Sequence, residues 1–328
     1  MTTPAAPDSN VRAWLPGFFA VAVIWGGSFL FIKIGVSELH PLYVTLGRVT
    51  AGSLMLLVAL AVLRDRLPRD PRLWLHMIVI AAVGVSLPFT LFGYGEQRVS
   101  SILAGIWNAT TPLVVLPMAV LVFRTERMTA RKAIGMTLGF LGVLVVLGAW
   151  QGLGGAQLTG QLFCFAAATC YGLSIPYQKR FVAGRPESGV ALSAAQLLVA
   201  TAQLAIVAPL VAGAPPVPTD LSLKVVASVL ALGALGTGLA FVINMRTIRL
   251  AGASTASTVT YLIPIFAVLI GVLVLDEHLA WYQPVGAAIV LVGVAVSQRL
   301  FARNPRPVAD AAPAIPTPDP AVSRAGIR

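Results

Sequence analysis

Residues 254–279 read STASTVTYLIPIFAVLIGVLVLDEHL, and residues 101–128 read SILAGIWNATTPLVVLPMAVLVFRTERM. Each runs from small hydroxyl-bearing residues through a proline (Pro264, Pro112) and an apolar stretch to a glutamate (Glu277, Glu126). The prolines lie 152 residues apart and the glutamates 151, so the registers differ by one residue. Gly135 and Gly142 fall on Gly286 and Gly293 at the offset of 151. Upstream, Trp25-Gly26-x-Ser28 with Lys33 matches Tyr171-Gly172-x-Ser174 with Lys179 at an offset of 146. Ordered landmarks of this kind mean a duplicated unit, and a repeat decides the architecture. We expect one copy over residues 14–149 and a second over 160–300.

The solvent for this chain is lipid. Hydrophobic residues make up 57% of it and charged residues 11%, against about 25% charged in soluble domains. A transmembrane helix needs about 20 mainly apolar residues. The sequence predicts an all-α integral membrane protein with ten such spans, at 14–34, 41–63, 73–95, 101–123, 130–149, 160–182, 189–212, 222–246, 253–275 and 281–300. The runs are apolar on all sides, which excludes the alternation a membrane β-barrel requires. The first span is too long for a cleaved signal peptide and continues into the repeat. Residues 1–13 read as a short N-terminal segment. Residues 301–328, rich in Pro and Ala, read as a disordered tail.

Basic residues fix the expected orientation. One set of loops and ends holds Arg12; Arg64, Arg66, Arg69 and Arg72; Arg124, Arg127, Arg131 and Lys132; Lys179, Arg180 and Arg185; Arg246 and Arg249; and Arg299, Arg303, Arg306, Arg324 and Arg328. The alternate loops hold only Lys33, Arg98 and Lys224. Cytoplasmic loops carry the excess of Lys and Arg, so both termini should be cytoplasmic. This distribution also accounts for the net charge of +11 without a nucleic-acid partner. The preference for arginine over lysine points to a bacterial source and hence to the inner, cytoplasmic membrane.

Five spans per copy is an odd number, so the second copy enters from the opposite side. Inverted repeats are the construction of many secondary transporters, with the substrate near the midplane between the halves. One half can adopt the conformation of the other, which gives two opposed states of similar energy. In this arrangement of spans, repeats, WG motif and proline–glutamate pairs, the chain resembles the EamA-type transporters of the drug/metabolite transporter superfamily. The resemblance covers about residues 15–300. It implies a cytoplasmic-membrane carrier, often an exporter of amino acids or related small metabolites, and leaves the substrate open. Where the first copy has Trp25 the second has Tyr171, and Arg48 of span two meets Gln196 or a neighbour in span seven, so the site should be asymmetric.

Arg48 lies seven residues past Pro41, about 10 Å into its helix. A charge at that depth marks a function or a buried partner; the alternative is that it snorkels to the interface. As a site residue it would suit a substrate carboxylate or phosphate. Pro112 and Pro264 each remove a backbone donor and clash with the carbonyl four residues back, those of Asn108 and Thr260. The freed carbonyls need a partner or a watery cavity. Asn108, Thr260 and Tyr261 are therefore candidate contacts, together with Trp25, Tyr94, Tyr171, Gln178 and Asn244 around a central cavity. Tyr94 ends span three and could belong to a gate. Glu126 and Glu277 should cap the start of the next helix at its positive end. Lys33, Lys179, His40, His76 and His278 read as snorkelling residues at span ends.

Among the twelve carboxylates none sits at mid-span, and Glu96 comes nearest, so no proton relay is evident. No zinc motif or phosphate-binding loop occurs; no cofactor or metal is expected, and no nucleophile–base constellation suggests an enzyme. A passive channel for small polar solutes is the competing function, and it would not saturate as a carrier does. The expected partners are a small-molecule substrate and the bilayer, with a homodimer left open.

Overall fold

The computed structural model describes residues 11–151, 155–251, 256 and 258–297. The expected N-terminal segment lies mostly, and the expected tail entirely, outside them. Among the described residues ten apolar helices follow in order: α1 (Val11–Gly35), α2 (Pro41–Leu63), α3 (Pro71–Glu96), α4 (Ser101–Val122), α5 (Ala130–Leu147), α6 (Gly155–Phe181), α7 (Gly189–Ala212), α8 (Leu223–Ala251), α9 (Thr258–Leu275) and α10 (Tyr282–Ser297). No strand occurs among the described residues. Helix α8 runs five residues beyond the expected limit, because its polar end, with Arg246 and Arg249, stays helical past the apolar stretch.

Local chemistry sets the ends. Asp70, Ser100, Thr129, Ser188 and Ser222 each accept a backbone N–H of the helix that follows, as short oxygen-bearing side chains do at N-caps. Pro41 and Pro71 occupy first-turn positions that need no N–H donor. Leu54, Val58, Leu75, Leu210 and Leu273 are largely exposed, an apolar perimeter that lipid covers.

The duplication is visible in the packing. Helices α2 and α7 start 148 residues apart and meet where Ser53 and Thr201, also 148 apart, share a 3.2 Å hydrogen bond. Helices α5 and α10 meet through the repeated glycines. A Cβ on Gly142 would collide with the Gly286 carbonyl, and one on Gly293 with the Gly135 carbonyl. Small residues let membrane helices approach backbone to backbone; that is why these four glycines recur.

Two further departures from regular helix are paired. Helix α3 widens into a π-turn at Ala82–Ser86, and α8 does so at Ala234–Leu239, 152 residues later. Such wide turns release carbonyls and are frequent at functional sites. Helices α4 and α9 are interrupted at their prolines. Helix α4 stops at Asn108 and restarts at Thr111, with Pro112 in the first turn of the new segment. Helix α9 opens with a tight turn at Thr258–Tyr261 and then runs Ile263–Leu275 with Pro264 in its first turn. The prolines therefore begin helical segments rather than bend continuous ones.

Candidate functional site

Arg48 is buried, with 7% of its surface exposed, so it does not snorkel. Its guanidinium lies 3.6 Å from the centre of the Phe89 ring on α3. Its Nε donates to Thr237 Oγ1 at 2.9 Å, inside the wide turn of α8. Placing an arginine at a helix centre in lipid costs about 2.5–3.5 kcal/mol on insertion scales. A desolvated cation–π contact returns about 2 kcal/mol, and a hydrogen bond to a charged group about 1.5–3 kcal/mol. These two contacts offset the burial, so the position is sustainable without a counter-ion. Among the described residues Nε is the one guanidinium nitrogen with a hydrogen-bond partner, which leaves the outer fork for a ligand.

The same wide turn holds Trp25. Its Nε1 donates to the Gly236 carbonyl at 3.2 Å, and its ring meets Phe241 edge-on. Tyr171 packs on Phe92 and is an electrostatic neighbour of Arg48. Arg48, Trp25 and Tyr171 thus gather α1, α2, α3, α6 and α8 around one position between the two halves. Gln196, at the place in α7 that Arg48 holds in α2, reaches toward Ile80 O at 3.5 Å beside the wide turn of α3. Each half sends a polar side chain to the other's widened helix, and only one carries a charge.

Other expected site residues are placed differently. Tyr94 lies at the end of the bundle that contains Glu277; its hydroxyl meets His40 Nε2 at 3.2 Å and its ring stacks on Phe163. Gln178 donates to Ser174 on its own helix at 3.0 Å. The Asn108 carbonyl freed by Pro112 is satisfied locally, because the Thr111 hydroxyl donates to it at 2.7 Å. The Asn108 side chain and Asn244 are half-buried, Tyr261 packs at the edge of the core, and Thr260 is exposed. None of these last four has a described contact with Arg48.

The two glutamates correct the capping expectation. Glu277 caps a helix, but not the next one. Its Oε1 accepts Ser101 N at 2.8 Å, and its Oε2 accepts Ser101 Oγ at 2.8 Å and Ile102 N at 3.1 Å. That is the start of α4, in the other half. The physical attraction is the one expected, a carboxylate on a positive helix end, with a partner 176 residues away. Thr129, not Glu126, caps α5. Glu126 pairs instead with Lys132 at 2.8 Å and with Lys179 at 3.1 Å, and the Lys132 hydrogen bond holds its carboxyl below the usual range. The lysines and two of the histidines are engaged as well. Lys33 Nζ donates to the Glu96 and Val99 carbonyls at 2.6 and 2.7 Å, His40 caps α2, and His76 bonds Tyr177 at 2.9 Å.

A cavity of about 440 Å³ opens at the Glu277 end, lined by Arg98, Ser100, Gln157, His278 and Gln283 among others. The described residues hold no cluster of three or more His, Cys, Asp or Glu suited to a metal.

Comparison with known proteins agrees with this architecture. The sequence profile of the EamA-like transporter family matches residues 12–148 and again 158–298. An "Uncharacterized transporter YoaV" of Bacillus subtilis (strain 168) is 24% identical over 290 residues, 88% of this chain and 97% of the relative. An "Uncharacterized transporter" of Archaeoglobus fulgidus is 25% identical over 280 residues, 83% of this chain and 92% of the relative. One crystal structure superposes with a TM-score of 0.61 at 22% identity, covering 88% of this chain and 97% of the other, which shows a shared fold.

Proposed function

The chain belongs to the EamA-like transporter family, and from that premise we propose that it is a secondary carrier exporting a small polar metabolite or drug across the cytoplasmic membrane. The substrate class that fits Arg48 is an amino acid or a related compound with an anionic group. Aromatic walls at Trp25 and Tyr171 would enclose its apolar part, and the free fork of Arg48 would take its carboxylate.

The observation that carries this reading is the pair of unequal ends on two equivalent halves. The Glu277 end is latched between halves by hydrogen bonds to a helix start. At the other end Glu126 is held by half-exposed ion pairs, worth about 0–1 kcal/mol each. In alternating access the halves rock about a central site so that one end is shut while the other gives way. With both termini in the cytoplasm, as the basic loops indicate, the Glu277 end faces outward and the Glu126 end inward.

Counterflow in proteoliposomes, screened with labelled amino acids and related anions, tests the proposal. Saturable counterflow of one compound, reduced at least tenfold in Arg48→Ala, is the expected result. Flux that never saturates would replace the carrier with a channel. Transport unchanged in Arg48→Ala would remove Arg48 from the site.

A further inference from the structure

Glu96 closes α3 at the Glu277 end and is wholly buried, at 0% exposure. Neither of its carboxyl oxygens has a hydrogen-bond partner, and it forms no ion pair among the described residues. Buried carboxylates are ordinarily paired or hydrogen-bonded, so this one calls for a ligand of its own.

Its surroundings narrow the ligand. From α1 comes Lys33, whose ammonium goes to the main-chain oxygens of Glu96 and Val99. From α2 comes Arg48, which stacks on Phe89 and donates Nε to Thr237; its fork makes no hydrogen bond to the Glu96 carboxyl. Beyond α9 stands Glu277, a second negative charge, and from α6 the Cys164 thiol, packed against Gly95. A metal cation would need a shell of oxygens, yet the nearby carbonyls of Glu96 and Val99 and the Ser101 hydroxyl are committed elsewhere. A proton needs one oxygen and removes the repulsion of Glu277.

We propose that Glu96 is a proton-binding site coupled to closure of the Glu277 end. The connector 97–100 joins Glu96 to the start of α4, where Glu277 holds Ser101 and Ile102. Lys33 bridges the same connector. With the end shut, the carboxyl is the neutral acid. When the latch parts and water enters, the O–H bond of the acid breaks and the proton passes to that water. Reclosure takes one proton back. One proton therefore leaves on opening and one returns on closing. Low pH on that face favours the shut end. This coupling rests on the alternating-access reading for the motion it controls.

The test uses the full-length chain in lipid nanodiscs, with the proton as probe. Infrared spectroscopy should show the carbonyl stretch of a buried carboxylic acid that disappears in Glu96→Gln. Val99→Cys, with Cys164 and Cys170 replaced by alanine, then reports on opening, because Val99 lines the cavity and is buried. Its labelling by an impermeant maleimide is divided at each pH by that of a permanently exposed reference cysteine, because the thiolate fraction itself grows with pH. This ratio should rise several-fold from mildly acidic to mildly alkaline pH, and should stay low and flat when Glu96→Gln is added. Loss of the acid band in a well-folded wild type would overturn the site. So would a pH curve unchanged by Glu96→Gln, or labelling that responds to sodium in place of potassium at fixed pH. Glu96→Gln mimics the neutral acid and should fold; a variant that fails to fold while Glu96→Asp folds would also overturn it. Counterflow is read separately. A saturable carrier without the acid band keeps the proposed function and loses this site, whereas a band and pH response in a protein that transports nothing reverses that outcome.

Discussion

The two ends of the bundle are built from the same sentence and close in different ways. Helix α4 is followed by a left-handed residue, Arg124, and α9 by another, Asp276, each twelve residues past its proline. Glu277 comes directly after Asp276, and its N–H returns to the Gly271 carbonyl. In the first half Thr125 fills that place, bonding Ala119 O, and Glu126 follows one residue later. That inserted residue is the one-position slip between the repeats. Glu277 is aimed at a helix start across the interface. Glu126 is displaced toward Lys132 and Lys179. One residue thus separates a part-buried latch of three hydrogen bonds on a helix start from a half-exposed ion pair, and it lets near-equivalent halves hold their ends with unequal strength.

Breaking the latch should have the largest effect. Glu277→Ala removes three hydrogen bonds to a carboxylate, each about 1.5–3 kcal/mol. A net loss near 3 kcal/mol corresponds to about a hundredfold shift in closure. Thiol labelling at the Glu277 end should accelerate accordingly; an unchanged rate would mean that Ser101 and Ile102 are not held by Glu277.

The seam between α5 and α10 ranks next. Gly142→Val would press a branched side chain into the Gly286 backbone, and overpacking costs about 1–3 kcal/mol or more. Thermal unfolding in detergent should show a clear drop, with Gly142→Ala milder than valine. Arg48→Lys should follow. Lysine keeps the charge and loses both the planar stack on Phe89 and the forked donor set, so half-saturation in counterflow should weaken about tenfold. The melting temperature should fall modestly, because the contacts that offset the buried charge are lost.

At the weaker end, Glu126→Gln should change stability by less than about 1 kcal/mol, and added salt should remove the difference. The carboxyl is held below its usual value of 4.5 by Lys132 and Lys179. Its contribution is therefore fully present above that value and is lost as pH falls through the lower folded value. Melting curves of wild type and Glu126→Gln should converge in strong acid and separate on returning toward neutrality.

Much of the fold was legible because lipid leaves few choices. Long apolar runs must be helices, and repeated glycines and prolines mark where helices touch or restart. The recurrence of Gly135, Gly142, Gly286 and Gly293 marked the duplication, whereas their meeting at the α5–α10 seam shows only in the packing. Arg48 stood out because a charge in an apolar run needs a reason. The wide turns at Ala82–Ser86 and Ala234–Leu239 had no such signal, since shifting a hydrogen bond by one residue requires no special side chain. The partner of Glu277 lies 176 residues away, beyond any local capping rule. Glu96 looked peripheral by sequence position, yet its burial comes from neighbouring helices that sequence depth does not count.

Alternating access is tested most directly by fastening the latched end. Cysteines at Ser100 and His278, which line the same cavity, can be joined by a short reducible thiol cross-linker in a background lacking Cys164 and Cys170. Counterflow should stop when the pair is joined and return when the link is reduced. Undiminished counterflow with the Glu277 end covalently shut would contradict the account.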